Sequence, residues 1–497
     1  MFYISLVVIS LHRRKVKNMN TREDYLNYII KQINTTPYIA NDFLKNNNEK
    51  FLCRNAFINI KNNLDDFLGG YAENRFMIMP GLRGTGKSTL LFQVYEYLVE
   101  KGIDKNRILY LSLDQLKSFK KLGLSDLVDI FVEDIHHRYL ATLDEEIFLL
   151  IDEFQEDINW SNTGKAIYDQ SKKVFMIFTG SNALDFEVNI NSVRRTLFER
   201  IYPMNFQEYL YLKYRIPDIY ISSDLIDLFL TGDIGSASKK ETELITSVST
   251  LKKPLMKEFE YFLSYGGFPL SLNLNEINAH RRIYELIDRV VENDVRHYKA
   301  YNGNTKQVIF NILSFMATQK PGGLSVNNLS KDIGSSRSNI TELLNILEKT
   351  HLIFHIKPYG GASKMIRSPS KYYFLSPTLN ASINFTLGKH NPNNRDYLGV
   401  LAETYVASTF FRLKNTIFKP NGIFSPTGKG MADFIITTFE GNKVAVEVGI
   451  GNKDKTPVKK TMNKYGCDYG VVISSTTNLI KKEDDVIFLP LTTFSLM

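Results

Sequence analysis

Residues 81–88, GLRGTGKS, fit the spacing GxxxxGK[ST], which sets a lysine and a hydroxyl at the end of a glycine-rich turn. Glycines let the backbone wrap closely around phosphate oxygens with its N–H groups pointing inward, and the positive end of a following helix adds attraction. Gly81, Leu82, Arg83, Gly84, Thr85, Gly86, Lys87, Ser88 and Thr89 are therefore the candidate ATP-binding residues. Lys87 is placed to reach the β- and γ-phosphates, and the Ser88 hydroxyl to bind Mg2+.

A second stretch, IFLLIDEF at 147–154, is an apolar run that ends in two acids, and a carboxylate buried there is costly unless a metal or water holds it. Asp152 is the expected outer anchor of Mg2+, and Glu153 the candidate base that orients the attacking water. In VFMIFTGSNA, at 174–183, the polar end carries Ser181 and Asn182. Asn182 is the candidate sensor of the γ-phosphate if this strand neighbours the Asp152 strand. Arg194, Arg195 and Arg200 follow, and a guanidinium is the side chain best suited to charge spreading over a phosphoryl group.

These groups need elements to position them. Between about residue 50 and 215, continuous apolar runs (RFMIMP, RILYLSL, IFLLID, VFMIFTG) alternate with amphipathic stretches, the pattern of a parallel sheet covered on both faces. The P-loop lies where that pattern requires it, after one such run and before the helix-like TLLFQVYEYLVE. A Ser/Lys/Thr-rich stretch near 233–253 reads as a loop, and FEYFLSYGGFPL and HRRIYELIDRVVENDVRHY carry helical periodicity. From 305 to 384 the order is helix, turn, helix, helix and hairpin, with a recognition-type helix over 336–347. Its polar face is Arg337, Ser338, Asn339 and Glu342; the hairpin carries Lys357, Lys364, Arg367, Lys371, Tyr359, Tyr372 and Tyr373, a composition suited to phosphate contact. That winged helix serves either as a duplex DNA contact or as a protein-interaction module.

At 497 residues the chain is too long for one core, and roughly three or four units are expected. The expected division is an N-terminal segment 1–45, a P-loop core 46–215, a helical lid 216–300, a winged helix 301–390 and a C-terminal α/β domain 391–497. A net charge of +8 permits a nucleic-acid partner without requiring one. Cys53 and Cys467 form no CxxC or Cys/His cluster, which argues against a disulfide framework or zinc finger and suits a cytoplasmic location. The opening MFYISLVVISLHRRK has about ten apolar positions, short of the roughly 20 a membrane helix needs, so no membrane partner is expected. Met19 is an alternative start to Met1.

GLRGTGKSTLL, YLSLDQ, LLIDEFQ, Trp160, FTGSNA, ERIYPMNFQEYL, YGGFP at 265–269 and LAETYVA at 401–407 together resemble the prokaryotic AAA+-related ATPases, also grouped with the archaeal ATPases. In that family a P-loop domain precedes a winged helix and a nuclease-like C-terminal domain. The resemblance implies an α/β fold with an additional strand in the P-loop sheet (the ASCE arrangement) and a conformational change driven by ATP and Mg2+. It also makes Arg200 the first choice among the arginines. Glu403, Asp433 and Glu447 resemble the acids of a PD-(D/E)xK nuclease core, but the lysine position of that motif is Gly449. Loss of that cation makes a retained, non-cutting scaffold the expectation, unless Lys453 or Lys455 reaches back. The expected activity is ATP hydrolysis coupled to DNA. The alternatives are a STAND-type signalling switch working through protein partners and an ATP-regulated nuclease.

Overall fold

The computed structural model describes residues 22–46, 49–118, 123–181, 196–218, 220–298, 303–414, 422–439, 441–451 and 453–497. The chain divides into two compact units, the first Met1–Gly81 with Gly86–Ile201, the second Leu82–Thr85 with Tyr202–Met497.

The first unit is built on a five-stranded sheet: β1 (Phe76–Pro80), β2 (Ile108–Ser112), β3 (Ile147–Asp152), β4 (Val174–Gly180) and the short β5 (Leu197–Phe198). Their order is β2-β3-β4-β1-β5, and every pairing is parallel. Strand β4 is the additional strand, lying between the strand that feeds the phosphate loop and the strand that carries Asp152. The first four strands are buried at every position, as apolar runs with helices on both faces must be. Alternation splits them cleanly. Phe76, Ile78, Leu149, Ile151, Met176 and Phe178 face a core shared with Trp160, while Met77, Met79, Phe148, Leu150, Phe175 and Ile177 face Leu90, Leu91 and Val94 of the helix α2 (Lys87–Glu100). The helix α1 (Arg22–Leu44) packs Tyr25, Ile29 and Ile33 into the first of these cores and continues through Pro37.

In the second unit the stretch expected as a loop is in part a helix, α3 (Gly235–Ser247). Ala237, Glu241 and Leu244 recur at helical spacing on its buried face, and the Glu241 carboxylate accepts the Ile480 N–H at 2.7 Å as well as the Thr493 hydroxyl. Those two donors make burial of a charged residue tolerable in a segment whose composition is that of a loop.

The helix α4 (Glu276–Arg289) leads to α5 (Gly303–Thr318), α6 (Val326–Ile333) and α7 (Arg337–Lys349). Ser336 caps α7 by accepting the Asn339 N–H at 3.2 Å. The next strands, β6 (Ile353–Pro358) and β7 (Lys371–Phe374), form the expected antiparallel hairpin. It does not stand alone. β6 pairs in parallel with β8 (Gly422–Ser425), joining the hairpin to β9 (Phe434–Thr437), β10 (Lys443–Gly449), β11 (Tyr469–Ser474), β12 (Lys481–Glu483) and β13 (Val486–Pro490). The result is one eight-stranded sheet of order β12-β13-β11-β10-β9-β8-β6-β7. The helices α8 (Pro377–Thr386) and α9 (Arg395–Leu413) follow the hairpin, and Phe354, Tyr373, Phe410 and Val446 share one core.

Within the second unit Arg83 grips Asp294 through two nitrogens, Nη2 to Oδ1 at 2.8 Å and Nε to Oδ2 at 3.1 Å, and the Asp294 side chain is 1% exposed. Removing Arg83 strands the buried Asp294 carboxylate, so Arg83→Met is expected to cost about 3 kcal/mol, whereas the double change Arg83→Met, Asp294→Leu costs less than the single one. The urea midpoint of the full chain without nucleotide measures both; an unchanged midpoint in Arg83→Met rules the pair out as a support of the fold.

Candidate functional site

In the first unit, β1 ends at Pro80 and the chain turns at Gly81, whose N–H donates to the Gly180 carbonyl at 3.1 Å. A Cβ at Gly81 would lie 2.2 Å from the Ile201 carbonyl oxygen, so only glycine fits this close approach. Gly86, at φ 92°, starts α2 in the left-handed region and sends the N-terminus of that helix back toward the turn. Lys87 is buried, and its Nζ donates to the Gly81 carbonyl at 2.7 Å. The lysine thus spans the loop in the position from which it would meet phosphate oxygens.

Ser88, on the next residue of α2, donates its hydroxyl to Asp152 Oδ2 at 2.6 Å. The other carboxylate oxygen accepts from the Thr179 hydroxyl of β4 and, at 3.1 Å, from the Glu153 N–H. Burial, helped by the neighbouring charge of Glu153, pushes the Asp152 carboxyl above its ordinary range, while the two hydroxyl bonds and Lys87 pull the other way. Hydroxyl and carboxylate oxygens side by side are the hard donors that suit Mg2+. Glu153 adopts φ 52°, unusual for a residue with a side chain, and its carboxylate accepts from the Gln155 amide, which also donates to Ser181 Oγ at 3.2 Å. Gln155 was not singled out from the sequence, although its place two residues after Glu153 is a readable signal.

The remaining expected residues fall differently. Asn182, Arg194 and Arg195 lie outside the described residues. Arg200 sits between Glu199, whose N–H bonds Ile78 O, and Ile201, whose N–H bonds Pro80 O, so its backbone runs along the strand that feeds the loop. Thr89 is on α2. Of the loop residues in the second unit, Thr85 donates its hydroxyl to Leu82 O at 2.8 Å, Gly84 has φ 76°, and Arg83 is held by Asp294.

The C-terminal acids are in the second unit. Glu403 on α9 accepts from Tyr373 OH at 2.8 Å and has Lys371 Nζ at 3.7 Å; Asp433 accepts the Val448 N–H at 2.8 Å; Glu447 on β10 pairs with Lys453 Nζ at 2.7 Å. Lys371 and Tyr373 are thereby corrected. They face these acids instead of offering phosphate contacts, because the edge strand β7 packs against α9. Lys453 occupies the space left by Gly449, where a Cβ would be 2.0 Å from its Cε. Lys455 instead lies 3.7 Å from Glu483 and 3.6 Å from Asp484.

Burial pushes Glu403 up to about 8 and Glu447 up to about 7, with Asp433 adding to both and the lysines opposing. A buried acid of this kind stabilises the fold fully at low pH and loses that contribution as pH rises, because the unfolded chain ionises first. The urea midpoint of the metal-free protein is therefore expected to decline between about pH 5 and about pH 8, and Glu403→Gln to flatten the decline. An equal slope in Glu403→Gln would show that other groups carry it.

Comparison with known proteins gives two family matches: the AAA domain over residues 73–210, and Domain of unknown function (DUF8612) over residues 256–387. The chain is 29% identical over 470 residues to Uncharacterized protein MJ1637 of Methanocaldococcus jannaschii, covering 95% of this chain and 93% of that one. It is 25% identical over 346 residues to an uncharacterized protein of Haemophilus influenzae, covering 68% and 76%. Among solved structures it is similar to the Thermotoga maritima RuvB Holliday junction branch migration motor, at 12% identity and TM-score 0.27 over 61% of this chain and 89% of that one. AMPPCP-bound DnaA from Aquifex aeolicus matches at 11% identity and TM-score 0.28, over 60% and 89%. Such partial superpositions add nothing to what the loop, the strand order and the domain match establish. Residues 73–210 match the AAA domain and contain the phosphate loop and the parallel sheet described above.

Proposed function

We propose that the chain is a Mg-ATP-hydrolysing switch that acts on duplex DNA. The observation that carries the reading is the meeting of Ser88, Asp152 and Thr179 around one buried carboxylate, directly beside a lysine that spans the phosphate loop. When bound, Mg2+ would neutralise charge on the β- and γ-phosphate oxygens. In this reading Lys87 exchanges the Gly81 carbonyl for those oxygens, Ser88 supplies an inner oxygen and Asp152 an outer one. Glu153 orients the attacking water, with Gln155 holding its carboxylate. Asn182 and Arg200 are assigned the γ-phosphate sensor and the charge-stabilising guanidinium. The N–H groups of residues 81–89 bind the rest of the nucleotide.

The DNA half of the proposal rests on α5 to α7 and the hairpin as a winged helix. Arg337, Ser338 and Glu342 are exposed on α7 opposite buried Ile340, Leu343, Leu344 and Leu347, and Lys357 and Arg367 are exposed beyond it. Without Lys371 and Tyr373 the basic face is thinner than the sequence suggests, and the single arginine at the start of α7, Arg337, favours backbone contact over base reading. Glu153→Gln is expected to retain ATP binding and lose hydrolysis by roughly 100-fold or more, and Lys87→Ala to lose productive binding. Turnover measured with and without duplex tests the partner: stimulation supports action on DNA, and tight nucleotide retention with negligible turnover supports a signalling switch working through proteins.

A second reading, an ATP-regulated nuclease, is favoured by one observation, the Lys453 ammonium in the place Gly449 vacates beside Glu447. Against it, Glu403, Asp433 and Glu447 are not among the described groups of three whose ligand atoms gather within 4.8 Å. The expected outcome is no cleavage of duplex or single-stranded DNA with Mg2+ or Mn2+. Cleavage that rises with pH through about 7 to 8 and disappears in Lys453→Met would replace the scaffold reading with the nuclease one.

A further inference from the structure

The second unit holds a histidine pair that the nucleotide and DNA readings leave unused. Glu276 and His280 are one helical turn apart at the start of α4, and His390 reaches them from the segment between α8 and α9. Their ligand atoms lie within 4.8 Å of one another, the single such set of three among the described residues. His390 Nε2 is 3.2 Å from Glu276 Oε1 and His280 Nε2 is 3.8 Å from the same oxygen. Ser264 Oγ lies 3.4 Å from His280 Nε2 and 3.3 Å from His390 Nε2. Ligands on a tetrahedral ion with zinc-type bond lengths are separated by about 3.4 Å, so this spacing needs little adjustment.

The far nitrogens are equally well placed. His280 Nδ1 faces Ser382 Oγ at 3.0 Å and His390 Nδ1 faces Tyr397 OH at 3.0 Å. An N–H donated to each of those oxygens fixes both tautomers and turns both Nε2 lone pairs toward the Glu276 carboxylate, the outer arrangement that metal-binding imidazoles use. Phe385 stacks on the His280 ring at 4.5 Å and keeps it from turning. His280 is fully buried, whereas the Glu276 side chain is 42% exposed and gives an ion a way in from solvent.

We propose that Glu276, His280 and His390 bind one zinc-class divalent cation, with the Ser264 hydroxyl at the fourth position, so that the ion clasps the start of α4 to the α8–α9 connection. A hydrogen-bonded network of two neutral histidines would use the same atoms without a metal, and the two differ in what an added ion does. Full-length protein stripped with EDTA is titrated with Co2+ and followed by visible absorption. One equivalent with the intense bands of tetrahedral coordination is expected, and Zn2+ should displace it and raise the Tm. Bound oxygen-only sites such as Asp152 give weak octahedral bands, so Asp152→Asn should leave the tetrahedral spectrum in place. His390→Gln and Glu276→Gln, both outside the fully buried positions, should bind Co2+ roughly 100-fold or more weakly while keeping the wild-type circular dichroism. Absence of tetrahedral bands, or bands of equal affinity in folded His390→Gln, overturns the proposal.

Discussion

One buried carboxylate ties the first unit together. Asp152 ends β3, Thr179 is near the end of β4 and Ser88 is the second residue of α2, and both hydroxyls meet its two oxygens. A carboxylate with so little water must be satisfied by the protein, and hydroxyls are donors that relieve it without cancelling its charge. The meeting is possible only because β4 lies between β1 and β3. Strand order, loop geometry and the charge left for a cation are thus one constraint seen at three scales.

Most of this was legible because the sequence states it locally. Four apolar runs, a glycine-rich turn and two acids at a strand end each have a short-range physical cause, and the parallel sheet follows from their alternation. The helix starting after Ser336 was readable for the same reason: a capping hydroxyl precedes apolar residues at helical spacing. What composition hid was tertiary. The 235–247 segment reads as a loop until the two donors that satisfy Glu241, from Ile480 and Thr493, are known. Neither lies near it in sequence.

Two family-like motifs of the second unit, YGGFP and LAETYVA, hold packing contacts. In YGGFP, a Cβ at Gly267 would meet Ser376 Oγ at 2.6 Å and Thr378 Oγ1 at 2.7 Å, and the Gly267 carbonyl accepts from Met204 of ERIYPMNFQEYL. In LAETYVA, Tyr405 donates to the Ser495 carbonyl at 2.6 Å and accepts from the Phe206 N–H. Arg83 belongs with them: its position in the phosphate loop suggests nucleotide contact, but Asp294 takes the Nε–Nη2 edge of its guanidinium.

The two carboxylate sites solve the same problem in ways that select different ligands. Both hold acids above their ordinary range because burial penalises the charged form. At Asp152 the compensation comes mainly from neutral hydroxyls, so the pocket keeps a net attraction for a cation. At Glu403, Asp433 and Glu447 it comes from the ammonium groups of Lys371 and Lys453, which already offset part of the negative charge a cation would meet. A metal entering there must displace or share with a lysine, whereas one entering beside Asp152 needs only the Ser88 hydroxyl to turn its proton away. Electrostatics therefore ranks the P-loop above the C-terminal acids as the place where a divalent ion costs the protein least.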